Sequence, residues 1–224
     1  MTSPVVTVDG PAGVGKGTLA TALARSLGFH YLDSGAIYRA LAYAGERQAL
    51  SADDSPGWVR LALSLQLEFP VGMEFQACLD GKSIEVQIRT EECAALASRL
   101  AADEAIRQAL LATQRRFLAF PGLVAEGRDM GTVVFPQAEC KIFLTATPEE
   151  RAKRRYKQLK EKGIDANFVA LLDAIRARDE RDETRKAAPL VVAEDAMVID
   201  TSHLSAQAVL KEALLWCKQK HITD

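Results

Sequence analysis

Short runs of β-branched and apolar residues alternate along this chain with longer stretches in which apolar residues recur every three or four positions. The first run, residues 4–9, is valine-rich and ends at a glycine, which predicts a buried strand. Residues 16–27 place Leu19, Leu23 and Leu27 on one helical face, and Gly28 supplies a stop signal. The same reading predicts strands over 30–33, 123–126, 141–145 and 197–200. It predicts helices over 36–50, 148–162, 168–186 and 205–220. Helices between short, largely apolar strands imply an α/β fold, a five-stranded parallel sheet flanked by helices on both faces. Ligands in such folds sit beyond the carboxyl ends of the strands, where Asp9, Asp33, Glu126, Asp129 and Thr145 fall.

Residues 58–100 interrupt this rhythm. After a loop over 51–57, β-like runs cover 66–69 and 75–79. Asp80-Gly81 then signals a hairpin turn into a run over 83–88. Helical stretches over 91–101 and 103–120 follow. The expectation is a small antiparallel insertion over 58–100 within a core made of 1–57, 101–150 and 164–224.

Composition narrows the function. Of 224 residues 48% are hydrophobic, and 28 Lys+Arg against 30 Asp+Glu leave a net charge of −2. That excludes a disordered chain and argues against a dedicated nucleic-acid binder. No apolar stretch approaches the ~18 residues of a membrane span, and the start lacks a secretory leader's pattern. Cys78, Cys93, Cys140 and Cys217 are far apart and form no CxxC, and three histidines are equally scattered. Free thiols in a cytoplasmic protein, with neither zinc site nor redox dithiol, are expected. The charge balance hides an asymmetry. Residues 151–186 hold 12 Lys+Arg and 7 Asp+Glu, a local +5 against −7 elsewhere.

Candidate chemistry begins directly after the first strand. Gly10, Pro11, Ala12, Gly13, Val14, Gly15, Lys16, Gly17 and Thr18 form a P-loop, with a strand before it and a helix after it. Its glycines let successive N–H groups point inward, the helix N-terminus adds partial positive charge, and Lys16 can reach the β- and γ-phosphates of a nucleoside triphosphate. The usual Ser or Thr directly after the lysine is displaced by one, because Gly17 precedes Thr18. Gly-Lys-Gly-Thr is characteristic of nucleoside monophosphate kinases. Three more segments carry candidate arginines: 32–39 (LDSGAIYR), 125–132 (AEGRDMGT) and 176–185 (RARDERDETR). In the last, Arg178, Asp182 and Arg185 fall at i, i+4 and i+7.

These segments, with EGRDMGTVVFP at 126–136, RDERDETRKAAPL at 178–190 and VIDTS at 198–202, resemble the bacterial cytidylate kinase family from end to end. The resemblance implies transfer of the γ-phosphoryl of ATP to CMP or dCMP, with Mg²⁺ entering as Mg-ATP and Thr18 near it rather than a permanent metal site. It implies that Arg39, Arg128 and Arg185 clamp the acceptor phosphate and that Arg178 and Asp182 contact the sugar. Ser34, Ser98, Arg107 and Asp129 would read cytosine, and Lys16, Arg128 and Arg185 would be catalytic. The segment 151–163 would be a lid, with Arg151, Arg154 and Arg155 facing the phosphates. An already ionised acceptor phosphate needs no general base, so positioning and charge neutralisation carry the reaction. A monomer without nucleic-acid or membrane partners is expected. On spacing alone, 178–185 better suits a solvated helix face, an order that the P-loop and the Arg128-Asp129 turn reverse, and Ser98 on its Ala-rich helix better suits packing. Asp9 is left open between a strand end and an active-site role. The competing functions are a kinase for another small acceptor such as another pyrimidine monophosphate, a nucleotide-dependent switch, and a non-catalytic nucleotide-binding module, against which Lys16 and the arginine set stand. The sequence contains no Asn-Lys-x-Asp guanine-reading motif.

Overall fold

A computed structural model describes residues 3–69, 76–161 and 163–222. Strand β1 (Val5–Asp9) is buried along its whole length and lies at the centre of a parallel five-stranded sheet. Its neighbours are β6 (Leu123–Glu126) and β7 (Cys140–Thr145), with β2 (His30–Asp33) and β8 (Met197–Asp200) at the edges, in the order β2-β6-β1-β7-β8. Val8 lies opposite Glu126 on one side and Ile142 on the other, which aligns the carboxyl ends of the central strands. The predicted α/β fold is the fold observed.

Alternate residues of β1, β2 and β6 feed two apolar clusters, while β7 and β8 contribute to one of them, which is why the central strands read as largely hydrophobic runs. Val6, Val8 and Val124 pack against α1 (Lys16–Leu27) and α8 (Ala206–Gln219). Val5, Leu123 and Ala125 pack towards α2 (Ser34–Arg47) and onward to α3 (Ser55–Ser64), α4 (Glu91–Leu100) and α5 (Glu104–Arg115). That second cluster runs without a break from the sheet into residues 58–100. Cys140 and Cys217, 77 positions apart in sequence, meet in the core with their sulfurs 3.6 Å apart. Among the described residues no helix is long and apolar enough to cross a membrane.

Several local expectations change. The loop expected over 51–57 instead starts α3: Asp54 Oδ1 accepts the Gly57 N–H at 2.9 Å, and Pro56 lies in the first turn, where its missing N–H costs nothing. The run over 83–88 pairs only at its start. Short strands β3 (Leu67–Glu68), β4 (Cys78–Leu79) and β5 (Lys82–Ser83) form an antiparallel sheet, and Gln87–Arg89 is a 3₁₀ turn. Asp80 and Gly81 both have positive φ (51° and 74°), as the predicted hairpin turn requires. Phe75, the start of one predicted run, and Lys162, the end of a predicted helix, lie outside the described residues. Helix α5 stops at Arg115 rather than at residue 120, ahead of Pro121 and Gly122. A π-helical turn over Met130–Val134 was not anticipated. Helices α6 (Pro148–Glu161) and α7 (Phe168–Thr184) pack on each other, with Tyr156 and Phe168 in an edge contact at 6.2 Å.

Candidate active site

Three strand-to-helix junctions and the C-terminal part of α7 converge on one cleft of about 590 Å³. The first is the P-loop. Gly10 has φ +143°, and a Cβ there would sit 2.1 Å from the Leu144 carbonyl oxygen, so only glycine fits against β7. Gly15, at φ +96°, caps α1. Lys16, the first residue of that helix, is buried and donates from Nζ to the Pro11 carbonyl at 2.7 Å. Burial, with Arg128 and Arg178 adding repulsion, pushes its amine well below the ordinary lysine range.

At the second junction Asp33 caps α2, accepting the Ala36 N–H at 2.9 Å, and its other oxygen accepts from Arg39 at 2.9 Å. Ser34 donates to Gln114 Oε1 at 2.9 Å. The third junction, past β6, carries Arg128 and Asp129. Arg128 Nε donates to Asp182 Oδ2 at 2.7 Å. Asp129 accepts from Arg107 in a pair that is almost entirely buried, and Arg185 stands 3.8 Å from its other oxygen. Burial raises the Asp129 carboxyl, while Arg107 and Arg185 oppose that rise. Burial would also raise Asp182, but Arg128 outweighs it and holds the carboxyl below its usual range.

The fourth group comes from α7. Arg178 and Asp182 face the cleft, but Arg185 is no longer on the predicted helical face, because α7 ends at Thr184. There Arg185 turns extended (φ −60°, ψ 138°), so its side chain reaches Asp129 and its Nε donates to the Ala188 carbonyl at 2.6 Å. Ser98, on α4, lines the same cleft. Arg39 Nε, Arg178 Nε, one Arg185 terminal nitrogen and the Tyr38 hydroxyl are buried without a hydrogen-bond partner. Buried donors in native proteins are nearly always satisfied, so a cleft lined by several orphaned ones is shaped for a polar, anionic occupant.

The arginines of α6 are not free on a surface. Arg151 lies under the P-loop, donating to the Ala12 carbonyl at 3.1 Å and forking onto Asp179 at 2.9 and 2.5 Å. Arg154 donates to Thr201, and Arg155 pairs with Glu91 at the start of α4. All three also line the cleft.

A family model for cytidylate kinase matches residues 6–219. The chain belongs to the cytidylate kinase family. It is 52% identical over 220 residues to cytidylate kinase of Colwellia psychrerythraea, covering 97% of each chain. It is likewise 52% identical over 219 residues to that of Aeromonas hydrophila, covering 97% of this chain and 95% of the relative. Cytidylate kinases are nucleoside monophosphate kinases, and the chain is therefore a phosphotransferase.

Within this family member, sequence reasoning missed several residues that the cleft depends on. Gln114 occupies the i+8 position of the apolar series Ile106, Leu110, Gln114, and a lone amide on a buried face was the available signal. Asp179 and Thr201, which hold Arg151 and Arg154, were quoted only within the motifs at 178–190 and 198–202 and given no role. Glu126 was marked as a strand-end position but given no role, yet its carboxylate accepts from Tyr31 and lies 3.2 Å from where a Gly17 Cβ would be. A side chain at position 17 would crowd that carboxylate.

Burial, reinforced by Asp33 and opposed by Lys16, raises Glu126 to about 7 from an ordinary 4.5. The ligand-free folded state thus keeps a proton that the unfolded chain loses. Its stability falls as pH rises from about 4.5 to about 7, because the folded form binds more protons throughout that window. Asp9, raised to about 6 by burial, adds to the same fall. Glu126→Gln should flatten the decline, read as urea midpoints at about pH 5 and about pH 8. A variant with the parental slope would show that Glu126 is ionised when folded.

Proposed function

We propose that this chain transfers the γ-phosphoryl group of ATP to CMP and dCMP, giving ADP with CDP or dCDP. The observation that carries this reading is the cleft itself, with a P-loop at one end and a buried Arg107–Asp129 pair beneath orphaned arginines at the other. The P-loop amides and Lys16 hold the triphosphate. Arg39, Arg128 and Arg185 clamp the acceptor phosphate, and Arg178 and Asp182 hold its sugar. An oxygen of that phosphate attacks the γ-phosphorus, the bond from γ-phosphorus to the β-bridging oxygen breaks, and ADP leaves. The acceptor's second pKa is ~6, so no general base is required. Lys16, Arg128 and Arg185 neutralise the charge of two polyanions brought together.

Magnesium arrives as Mg-ATP and would offset phosphate charge when bound. The Thr18 hydroxyl, at the open end of the P-loop, and the Glu126 carboxylate beside Gly17 are oxygen groups suited to a hard cation or its waters. A second cavity of about 210 Å³, lined by Val14, Leu19, Arg154, Thr201 and Leu204, adjoins the P-loop and suits the donor's adenine. Residues 58–100 act as the acceptor-binding insertion. Residues 151–163 act as the lid, excluding water that would otherwise make the enzyme an ATPase.

Cytosine offers an amino donor at C4 and acceptors at N3 and O2. Asp129 accepts from the first while Arg107 donates to the others, with Ser34 and Ser98 at the edge. Uracil reverses the groups at C4 and N3, leaving buried partners mispaired. A coupled ADP-release assay with Mg-ATP and CMP, dCMP, UMP, AMP or GMP tests this. Strong turnover of CMP and dCMP with much weaker turnover of UMP is expected. Equal turnover of UMP would refute the base-reading roles, and no turnover of CMP would refute the function.

A further inference from the structure

One buried carboxylate has no part in the reaction just described. Asp9 ends β1, immediately before the P-loop, and is only 6% exposed. Its Oδ1 accepts the Met130 N–H at 2.9 Å and its Oδ2 accepts the Gly131 N–H at 2.8 Å. These amides open the π-helical turn over Met130–Val134, and the first N–H groups of any helical turn have no carbonyl within it to bond. The residue preceding such a turn commonly caps it, and Asp129 is of the type that does so. Here Asp129 makes no side-chain cap and turns instead to Arg107. The capping comes from Asp9, 121 and 122 positions away in sequence.

The turn is also pressed onto β1. A Cβ at Gly131 would lie 2.8 Å from Thr7 Oγ1 and 3.4 Å from Asp9 Oδ2, so the amide and carboxylate are held in register by a close approach that only glycine permits. Two hydrogen bonds, one from each of two consecutive amides, leave the loop carrying Arg128 and Asp129 little freedom to slide along β1.

We infer that Asp9 is a positioning residue for acceptor-base specificity: by capping the 130–134 turn from β1, it releases Asp129 to pair with Arg107 and face the base. This rests on the reading of Arg107 and Asp129 as the base-recognition pair. A consequence is that the P-loop and the base-reading loop share one anchor, since Gly10 follows Asp9 directly.

Asp9→Asn is isosteric and keeps one acceptor, but its amide N–H₂ then faces one of the two backbone N–H groups. The kcat/KM ratio of CMP to UMP should fall roughly tenfold, the effect of one spoiled buried hydrogen bond. The KM for ATP should stay within about twofold, since the P-loop amides are untouched. An unchanged ratio with only a lower thermal midpoint would overturn the inference in favour of a purely structural role. An unchanged ratio with a raised KM for ATP would overturn it in favour of a role in the P-loop. Should Asp9→Asn not fold, Gly131→Ala displaces the same amide from the other side and should lower the ratio likewise; an unchanged ratio there overturns the inference equally. If the parent enzyme itself lacked a preference for CMP over UMP, the base-reading roles would fail first. A parent that discriminates beside an Asp9→Asn variant that discriminates as well isolates the failure to Asp9.

Discussion

Lys16→Met lowers kcat by about 10²–10³-fold, the usual loss when one preorganised electrostatic donor is removed from a phosphoryl-transfer site. Lys16 Nζ rests on the Pro11 carbonyl at 2.7 Å in a buried position, with Arg128 and Arg178 repelling it. In the proposed role, contact with the β- and γ-phosphates adds negative charge beyond that of Glu126 and Asp9 beside it, so its interaction strengthens as charge migrates during transfer. The loss should therefore appear mainly in kcat, with a smaller change in KM for ATP. The same geometry predicts a stability effect of opposite sign. Methionine removes a desolvated cation held among arginines, so the ligand-free variant should unfold at a urea concentration equal to or above the parent's. Steady-state kinetics with urea midpoints tests both halves. A tenfold or smaller loss in kcat would mean that the P-loop amides and arginines suffice without the lysine.

Asp129→Ala carries the second large effect, on folding and specificity together. Arg107 is buried, and its other bonds are one to the Ala101 carbonyl at 3.2 Å and a placement 5.9 Å over the Tyr38 ring. Removing its carboxylate partner leaves a buried guanidinium uncompensated, and breaking such a pair costs about 3–5 kcal/mol. Arg185, 3.8 Å from the same carboxylate, loses its partner too. A site that hydrogen-bonds a base rejects the mispaired analogue by up to about 10⁴–10⁵-fold, so the CMP-over-UMP preference should fall at least about 100-fold. Asp129→Asn separates the two effects. It keeps the volume and one acceptor, so it should recover most of the stability while remaining impaired in discrimination. Denaturant midpoints and kcat/KM ratios for both variants decide the matter. An Asp129→Ala protein as stable and selective as the parent would show that Arg107 finds other partners and that the pair does not read the base.

Much of this molecule was legible before any coordinate. Short, largely apolar runs such as Val5–Asp9 and Leu123–Glu126 announced buried strands, and the spacing of Leu19, Leu23 and Leu27 announced the helix after the first. The P-loop glycines announced positive φ at Gly10, Gly13 and Gly15, because backbone curvature is a local property of residue type. These features depend on neighbours within a few positions, and residue type alone specifies them. Turn chemistry was misread only where a signal had two meanings, as at Asp54–Pro56, since a cap followed by proline opens a loop or a helix equally well.

The pairings that make the cleft came from tertiary structure alone. Arg107 meets Asp129 across 22 positions, Arg128 meets Asp182 across 54, and Asp9 reaches Met130 across 121. Arg151, Arg154 and Arg155 look interchangeable in sequence, yet one supports the P-loop, one holds Thr201 and one spans to Glu91. The sequence by itself determined which residues carry charge and which segments fold into strands and helices. Only the packing of parallel strands, whose crossovers bring the ends of β1, β2 and β6 side by side, decided which charge faces which. An ion pair is set by distances between side chains, and those distances exist only after the sheet has closed.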